Sequence, residues 1–176
     1  MSQIPFRLDA VVAALARTPA VLDALLRTLP DEWIDGTEGP GTWSPRQVVA
    51  HLVDGERVDW TVRARAMLAK ETPTFAPYDI GGSVEQATDR PLTAWLDAFA
   101  DARAENLAWL RSAHLTEVDL ERTGIHPTFG LVTLRQLLAT WVVHDHGHIV
   151  QIARTLARQS RDEVGPWTAF LSVFDG

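Results

Sequence analysis

The sequence predicts an all-α protein, a four-helix bundle with one long crossover connection and a short C-terminal helix. Helical periodicity dominates the chain while the period-two alternation of strands is nearly missing, and proline and glycine divide it into four long helical stretches. The loops between these stretches include one long crossover, as some four-helix bundles have. No internal repeat, low-complexity tract or linker splits the chain, so residues 1–176 read as one domain.

The first helical stretch runs from Phe6 to Arg17. Thr18-Pro19 then offers a cap and a first-turn proline for a continuation through Ala20, Val21, Leu25, Leu26 and Leu29, which Pro30 ends. The segment Asp31 to Thr42, with Gly36, Gly39, Pro40 and Gly41, reads as a loop. Ser44 as N-cap and Pro45 at the first helical position open the second helix, which extends to about Lys70. Pro73, Pro77, Gly81 and Gly82 mark the long connection, whose interval Thr72 to Arg90 suits a flexible link, a lid or a dimer contact.

The third helix spans Leu92 to about Ser112, with a buried side of Leu92, Trp95, Leu96, Phe99, Leu107 and Leu110. Gly124 to Gly130 reads as a turn-rich loop. The fourth helix begins near Thr133, capped with Gln136 three residues on, and continues to about Arg158. Asp162 to Phe174 is expected to form a short closing helix, with Gly165-Pro166 complicating its start.

The fourth helix carries the chemistry, in His144-Asp145-His146-Gly147-His148. Residues four apart share a helical face about 5–6 Å apart at Cβ, so His144 and His148 suit one metal ion. His146 turns roughly 200° away from His144 and cannot join them. A third ligand has to come from elsewhere, and His51 in the second helix is the best candidate. Three neutral imidazoles without a carboxylate match the ligand set of catalytic rather than closed structural zinc sites, leaving a position for water. They admit zinc or nickel, with iron, copper or cobalt also compatible with this donor type.

Around these ligands, Gln151 stands one turn beyond His148, placed to hydrogen-bond a bound water or substrate, although an amide is no base at neutral pH. Glu56, Asp54 and Asp145 are the nearby carboxylates in sequence, and none shares a stripe with its neighbouring histidine. Asp145, offset by about 100° from His144, is placed to orient a partner or bridge to another helix. Gly55, one turn after His51, makes room either for water or substrate or for a close helix contact. His126, in the loop before the fourth helix, is the remaining histidine that can approach the open end of the bundle. His114 and His146 read as bystanders. Trp60, Trp95, Trp109 and Trp141 fall within helices as core or interface anchors, and Trp43 precedes the Ser44 cap as a hydrophobic staple.

Composition narrows the function. The chain has no cysteine, which removes disulfides, thiolate ligands and a cysteine nucleophile together. A formal charge of −7 and a pI near 5.3 argue against nucleic-acid binding, which relies on Lys and Arg to neutralise phosphates. Arg7, Asp9, Arg17, Asp23 and Arg27 interrupt the first 30 residues, leaving no apolar run for a signal peptide or membrane span, so a cytoplasmic protein is expected.

The order Thr18-Pro19, Trp43-Ser44, His51, Gly130-x-x-Thr133-Leu134, His144-Asp145-x-x-His148-x-x-Gln151-Ile152 and the closing Val164-Gly165-Pro166-Trp167 resembles the DinB-like superfamily over nearly the whole chain. The resemblance implies an antiparallel four-helix bundle, often a homodimer, holding one divalent metal through three histidines, which here match His51, His144 and His148. It implies a metal-dependent hydrolase or transferase acting on a small molecule. One alternative is S-transfer from a low-molecular-weight thiol, with no cysteine of the protein's own required. The alternative of another class is a non-catalytic bundle that the metal merely stabilises.

Overall fold

In the computed structural model, which describes residues 5–79 and 81–175, helices account for most of the chain. They are α1 (Leu8–Leu15), α2 (Thr18–Leu26), α3 (Asp31–Asp35), α4 (Pro45–Val58), α5 (Trp60–Ala69), α6 (Gly82–Glu85), α7 (Leu92–Ser112), α8 (Glu117–Leu120), α9 (Leu134–Arg158) and α10 (Arg161–Val164). Strands β1 (Thr123–His126) and β2 (Gly130–Thr133) form an antiparallel hairpin between α8 and α9. Four columns, α1 with α2, α4 with α5, α7, and α9, make a four-helix bundle. The strongest packing joins α4 to α7, with α9 closing against α1, α4 and α5.

The core shows which way each column runs. One apolar cluster gathers Leu22, Leu26, Val49, Leu52, Leu96, Phe99 and Ile152, and the other Val11, Leu15, Trp60, Met67, Leu107, Leu138 and Trp141. Followed along the chain, α1–α2 and α9 pass from the second cluster to the first, whereas α4–α5 and α7 pass from the first to the second. Two consecutive columns thus run the same way. The connection between them has to return along the whole bundle, which is why residues 70–91 are so long.

Between the two clusters lies a polar layer, reached by one helical turn from each side: Leu52 to Glu56 to Trp60, Phe99 to Arg103 to Leu107, Leu15 to Thr18 to Leu22, and Trp141 to Asp145. Arg103, 1% exposed, donates through Nη2 to Glu56 Oε1 at 2.8 Å and to Asp145 Oδ1 at 3.0 Å, and through Nη1 to Asp145 Oδ2 and the Leu15 carbonyl, both at 2.7 Å. Thr18 Oγ1 donates to Asp145 Oδ2, Trp141 Nε1 to Glu56 Oε1, and Asn106 Nδ2 to Glu56 Oε2. Each buried charge is therefore paired and hydrogen-bonded, the condition for tolerating it away from water.

The capping residues act as the sequence predicts. Gln47 N–H donates to Ser44 Oγ and Ser44 N–H to Gln47 Oε1, and Thr133 pairs with Gln136 in the same reciprocal way. Several boundaries differ. The helix expected from Ser44 to Lys70 is divided at Asp59, whose φ/ψ of −115°/−78° departs from ideal helical values. Hydrogen bonds still run from Asp59 N–H to the Gly55 carbonyl and from Arg63 N–H to the Asp59 carbonyl, so the apolar period passes through the kink undisturbed. The supposed loop at 31–42 contains α3, a single turn that buries Ile34. The segment expected as a closing helix is helical only over α10, because Gly165 takes φ +59°, and continues as 3₁₀ turns to Phe174.

The Gly124 to Gly130 segment is the hairpin. Its register sets Ile125 opposite Leu131 on one face and Gly124 opposite Val132 on the other, with His126 following Gly124. Ile125 and Leu131 are both exposed, so no apolar alternation announces the strands. The free edge of β1 pairs with residues 73–75: Ile125 N–H donates to the Pro73 carbonyl and Phe75 N–H to the Ile125 carbonyl. A Cβ at Gly124 would stand 2.4 Å from the Phe75 ring, so only glycine fits there.

Candidate metal centre

His51 from α4 and His144 and His148 from α9 converge. Their ligand atoms all lie within 4.8 Å of one another, with His51 Nε2 3.1 Å and His148 Nε2 3.2 Å from His144 Nε2. The i, i+4 spacing on α9 supplies two of the three and the packing of α4 against α9 the third. His146 is exposed on the opposite side of α9 and takes no part.

Burial drives all three imidazoles toward their neutral form. The pKa of His51 is pushed down to about 4 by burial and then by His148, and that of His144 to about 3 by burial and then by His148, His51 and Arg103. His148 is also lowered by burial, with Gln151 and Asp145 opposing. Neutral rings are what a metal ligand requires, so no proton has to be displaced near pH 7.

His148 Nδ1 and Gln151 Oε1 are 2.9 Å apart. An amide oxygen only accepts, so the ring proton resides on Nδ1 and the Nε2 lone pair faces the other histidines. Three imidazole lone pairs this close repel one another unless a cation or proton lies between them. Ligands 2.0–2.1 Å from a tetrahedral metal stand roughly 3.3 Å apart, close to the observed separations, so the donor set fits one divalent ion.

The site opens into a cavity of about 600 Å³ whose walls are largely aromatic. Trp43 lies against His51 with ring centroids 4.9 Å apart and is stacked near His148 at 6.3 Å, and Trp60 meets His144 edge-on at 5.1 Å while stacking on Trp141. Phe75, Pro77 and Tyr78 from the crossover and His126, Phe129 and Val132 from the hairpin complete the enclosure. Among the described residues, the charged side chains in the wall are Asp59 and Arg63. They pair at 2.5 Å, each about 10% exposed, and the Arg63 guanidinium lies over Phe75. Burial raises the Asp59 pKa, and burial with nearby Asp54 raises that of the Tyr78 hydroxyl.

The expected neighbours are distributed unevenly. Gln151 is engaged by His148 rather than offered to water or substrate. Asp145 forms the bridge between helices, and neither it nor Glu56 lines the cavity, since Arg103 holds both in the polar layer. The space at Gly55 is taken by Trp60, whose Nε1 lies 3.2 Å from where a Cβ would be. His126 does face the cavity. Trp43, Trp60, Tyr78 and Phe129 were not separable in the sequence from packing or loop residues, because nothing local marks an aromatic ring as facing a site 30–90 positions away.

Two outcomes follow from this geometry. Gln151→Leu should lower metal affinity by about 10–100-fold by calorimetric titration, the usual cost of losing the partner that orients a ligating histidine. For the metal-free protein, the histidine pKa values lie below their unfolded value of 6.5, so the unfolded chain takes up protons first as pH falls. Stability should therefore be full above pH 6.5 and decline from there toward pH 4, with the urea midpoint falling; His51→Gln/His144→Gln should flatten that decline.

Comparisons with known proteins give this chain a family and named relatives. A family model described as the DinB superfamily matches residues 14–152. A Bacillus subtilis protein named "Putative metal-dependent hydrolase YfiT" is 29% identical over 153 residues, covering 85% of this chain and 84% of that protein. A Bacillus licheniformis protein, also named as a "Putative metal-dependent hydrolase", is 31% identical over 147 residues, covering 82% of each. A solved structure of Bacillus subtilis YfiT, described as "a probable metal-dependent hydrolase with an unusual four-helix bundle topology", superposes with a TM-score of 0.79 at 28% identity, covering 92% of this chain and 93% of that one.

Proposed function

The chain belongs to the DinB superfamily, and from that premise we propose that it is a metal-dependent hydrolase of small molecules, with His51, His144 and His148 holding one divalent metal. The observation that carries this reading is the convergence of three neutral imidazole nitrogens, 3.1–3.2 Å apart along two edges, at the floor of a 600 Å³ cavity. A structural site closes all four positions with protein ligands, whereas three histidines leave one for water or substrate. Zinc or nickel, or iron, would suit these ligands and would supply Lewis-acid activation of water near neutral pH.

The chain's own groups arrange the rest. Gln151 fixes the orientation of His148. Trp43 and Trp60 pack on the imidazoles, exclude water from their flanks and leave the cavity side open. Asp59, the carboxylate among the described residues of the wall, forms an ion pair with Arg63 rather than with a histidine. The three-histidine centre would take a thiol as readily as water. Transfer of a low-molecular-weight thiol is therefore the second reading.

The test is elemental analysis of protein purified without a metal-binding tag, followed by assays of the loaded enzyme on ester and amide panels and on electrophiles with added thiol. Turnover of esters or amides without thiol supports hydrolysis; turnover only with thiol favours transfer. A loaded protein inert in both, whose melting temperature collapses without metal, would be a metal-stabilised bundle instead.

A further inference from the structure

The wall of the cavity carries information about its ligand. Among the described residues its charged side chains, Asp59 and Arg63, pair and bring no net charge, so a dication held by three neutral imidazoles favours a molecule with an anionic head. Between these polar points the surface is flat and aromatic, from Trp43, Trp60, Phe75, Tyr78 and Phe129.

The hairpin tip is built to present two of its residues. His126 Nδ1 accepts N–H bonds from Thr128 at 3.1 Å and Phe129 at 3.3 Å, and its ring stacks on Phe129 with centroids 4.6 Å apart. Accepting through Nδ1 places the ring proton on Nε2, an N–H donor on a side chain of the cavity wall. Phe129 is 76% exposed at the mouth, an uncovered aromatic ring held in a fixed orientation where a ligand would cover it.

Resting on the metal-site reading above, we infer that the cavity takes a flat aromatic molecule with an anionic oxygen head, the ring lying among Trp43, Tyr78 and Phe129 and the head meeting the three-histidine centre while accepting a hydrogen bond from His126. Phe129 is then a specificity residue for the ring and His126 a binding residue for the head.

Hydroxamates serve as probes because they join an anionic oxygen head to a variable body. Calorimetric titration of zinc-loaded protein with benzohydroxamate, hexanohydroxamate and acetohydroxamate should give affinities in that order. The benzo compound should lead the hexano compound by about 2- to 10-fold, the size of an aromatic pair preference beyond area burial. Phe129→Ala should abolish that lead. His126→Asn retains an acceptor for the Thr128 and Phe129 N–H groups but removes the ring N–H, and should weaken all three probes by roughly 10-fold, as loss of a hydrogen bond to a charged group does. Zinc affinity, titrated separately, should be unchanged in both variants.

A hexano preference in the wild type overturns the aromatic assignment, and a benzo lead undiminished in Phe129→Ala overturns the role of Phe129, either outcome leaving the metal site standing. Full probe affinity in His126→Asn overturns the role of the histidine. Failure of the wild type to take up zinc overturns this inference together with the function on which it rests.

Discussion

His148→Ala is expected to retain no stoichiometric metal, whereas the wild type holds about one equivalent per chain and His146→Ala keeps it. Helical phase separates the three: His144 and His148 face α4, and His146 faces solvent. Apparent binding energies of structural zinc sites are about 10–16 kcal/mol over four ligands, so removal of one imidazole costs roughly 3–4 kcal/mol, or about 10²–10³ in affinity. His144→Ala should lose as much, and His51→Ala at least an order of magnitude. Metal analysis after dialysis against a weak chelator reads all four variants. Equal losses at His144, His146 and His148 would contradict the helical-face argument. Full retention in His51→Ala would transfer the third ligand to another residue, with His126 the first to examine.

The second large effect is on stability. Arg103→Met should destabilise the protein by about 3–5 kcal/mol, because it leaves the Glu56 and Asp145 carboxylates buried without their cation. For a chain of this length that corresponds to a fall in Tm of roughly 6–20 °C. Burial alone would lower the Arg103 pKa, and the hydrogen bond to Asp145 with the charge of Glu56 reverses it, so the guanidinium stays charged. Arg27 provides the contrast. Its pairs with Asp23 and Asp97 lie at the surface, where water screens them, and Arg27→Ala should leave the urea midpoint close to that of the wild type. Urea denaturation of both variants measures the difference. A loss below 1 kcal/mol in Arg103→Met would mean that the polar layer is hydrated or that its carboxylates take up protons. The triple replacement Glu56→Gln/Arg103→Met/Asp145→Asn should be less destabilised than Arg103→Met, since it removes the unpaired charges.

Much of this protein was legible locally. The helix starts at Ser44-Pro45 and Thr133 depend on residues three apart, and the ligand pair His144 and His148 on residues four apart. The hairpin was missed because its strands are four residues long and its outer pair, Ile125 and Leu131, is exposed. The kink at Asp59 was missed because the backbone hydrogen bonds bridge it. Asp145 was expected to orient a partner or bridge helices, but which helix it reaches was open until Arg103 was seen against it.

The sequence by itself determined the all-helical class, the four principal helices and their caps, and the two histidines that share a face, since each follows from backbone periodicity or from side chains within one turn. Tertiary structure alone decided that His51 approaches α9, that Gln151 turns to His148, that Glu56 and Asp145 are withdrawn into a layer around Arg103, and that aromatic rings from the crossover and the hairpin enclose the cavity. Those facts depend on the direction and packing of helices far apart in the chain, a collective outcome of burying two apolar clusters at once, to which no single segment holds the key.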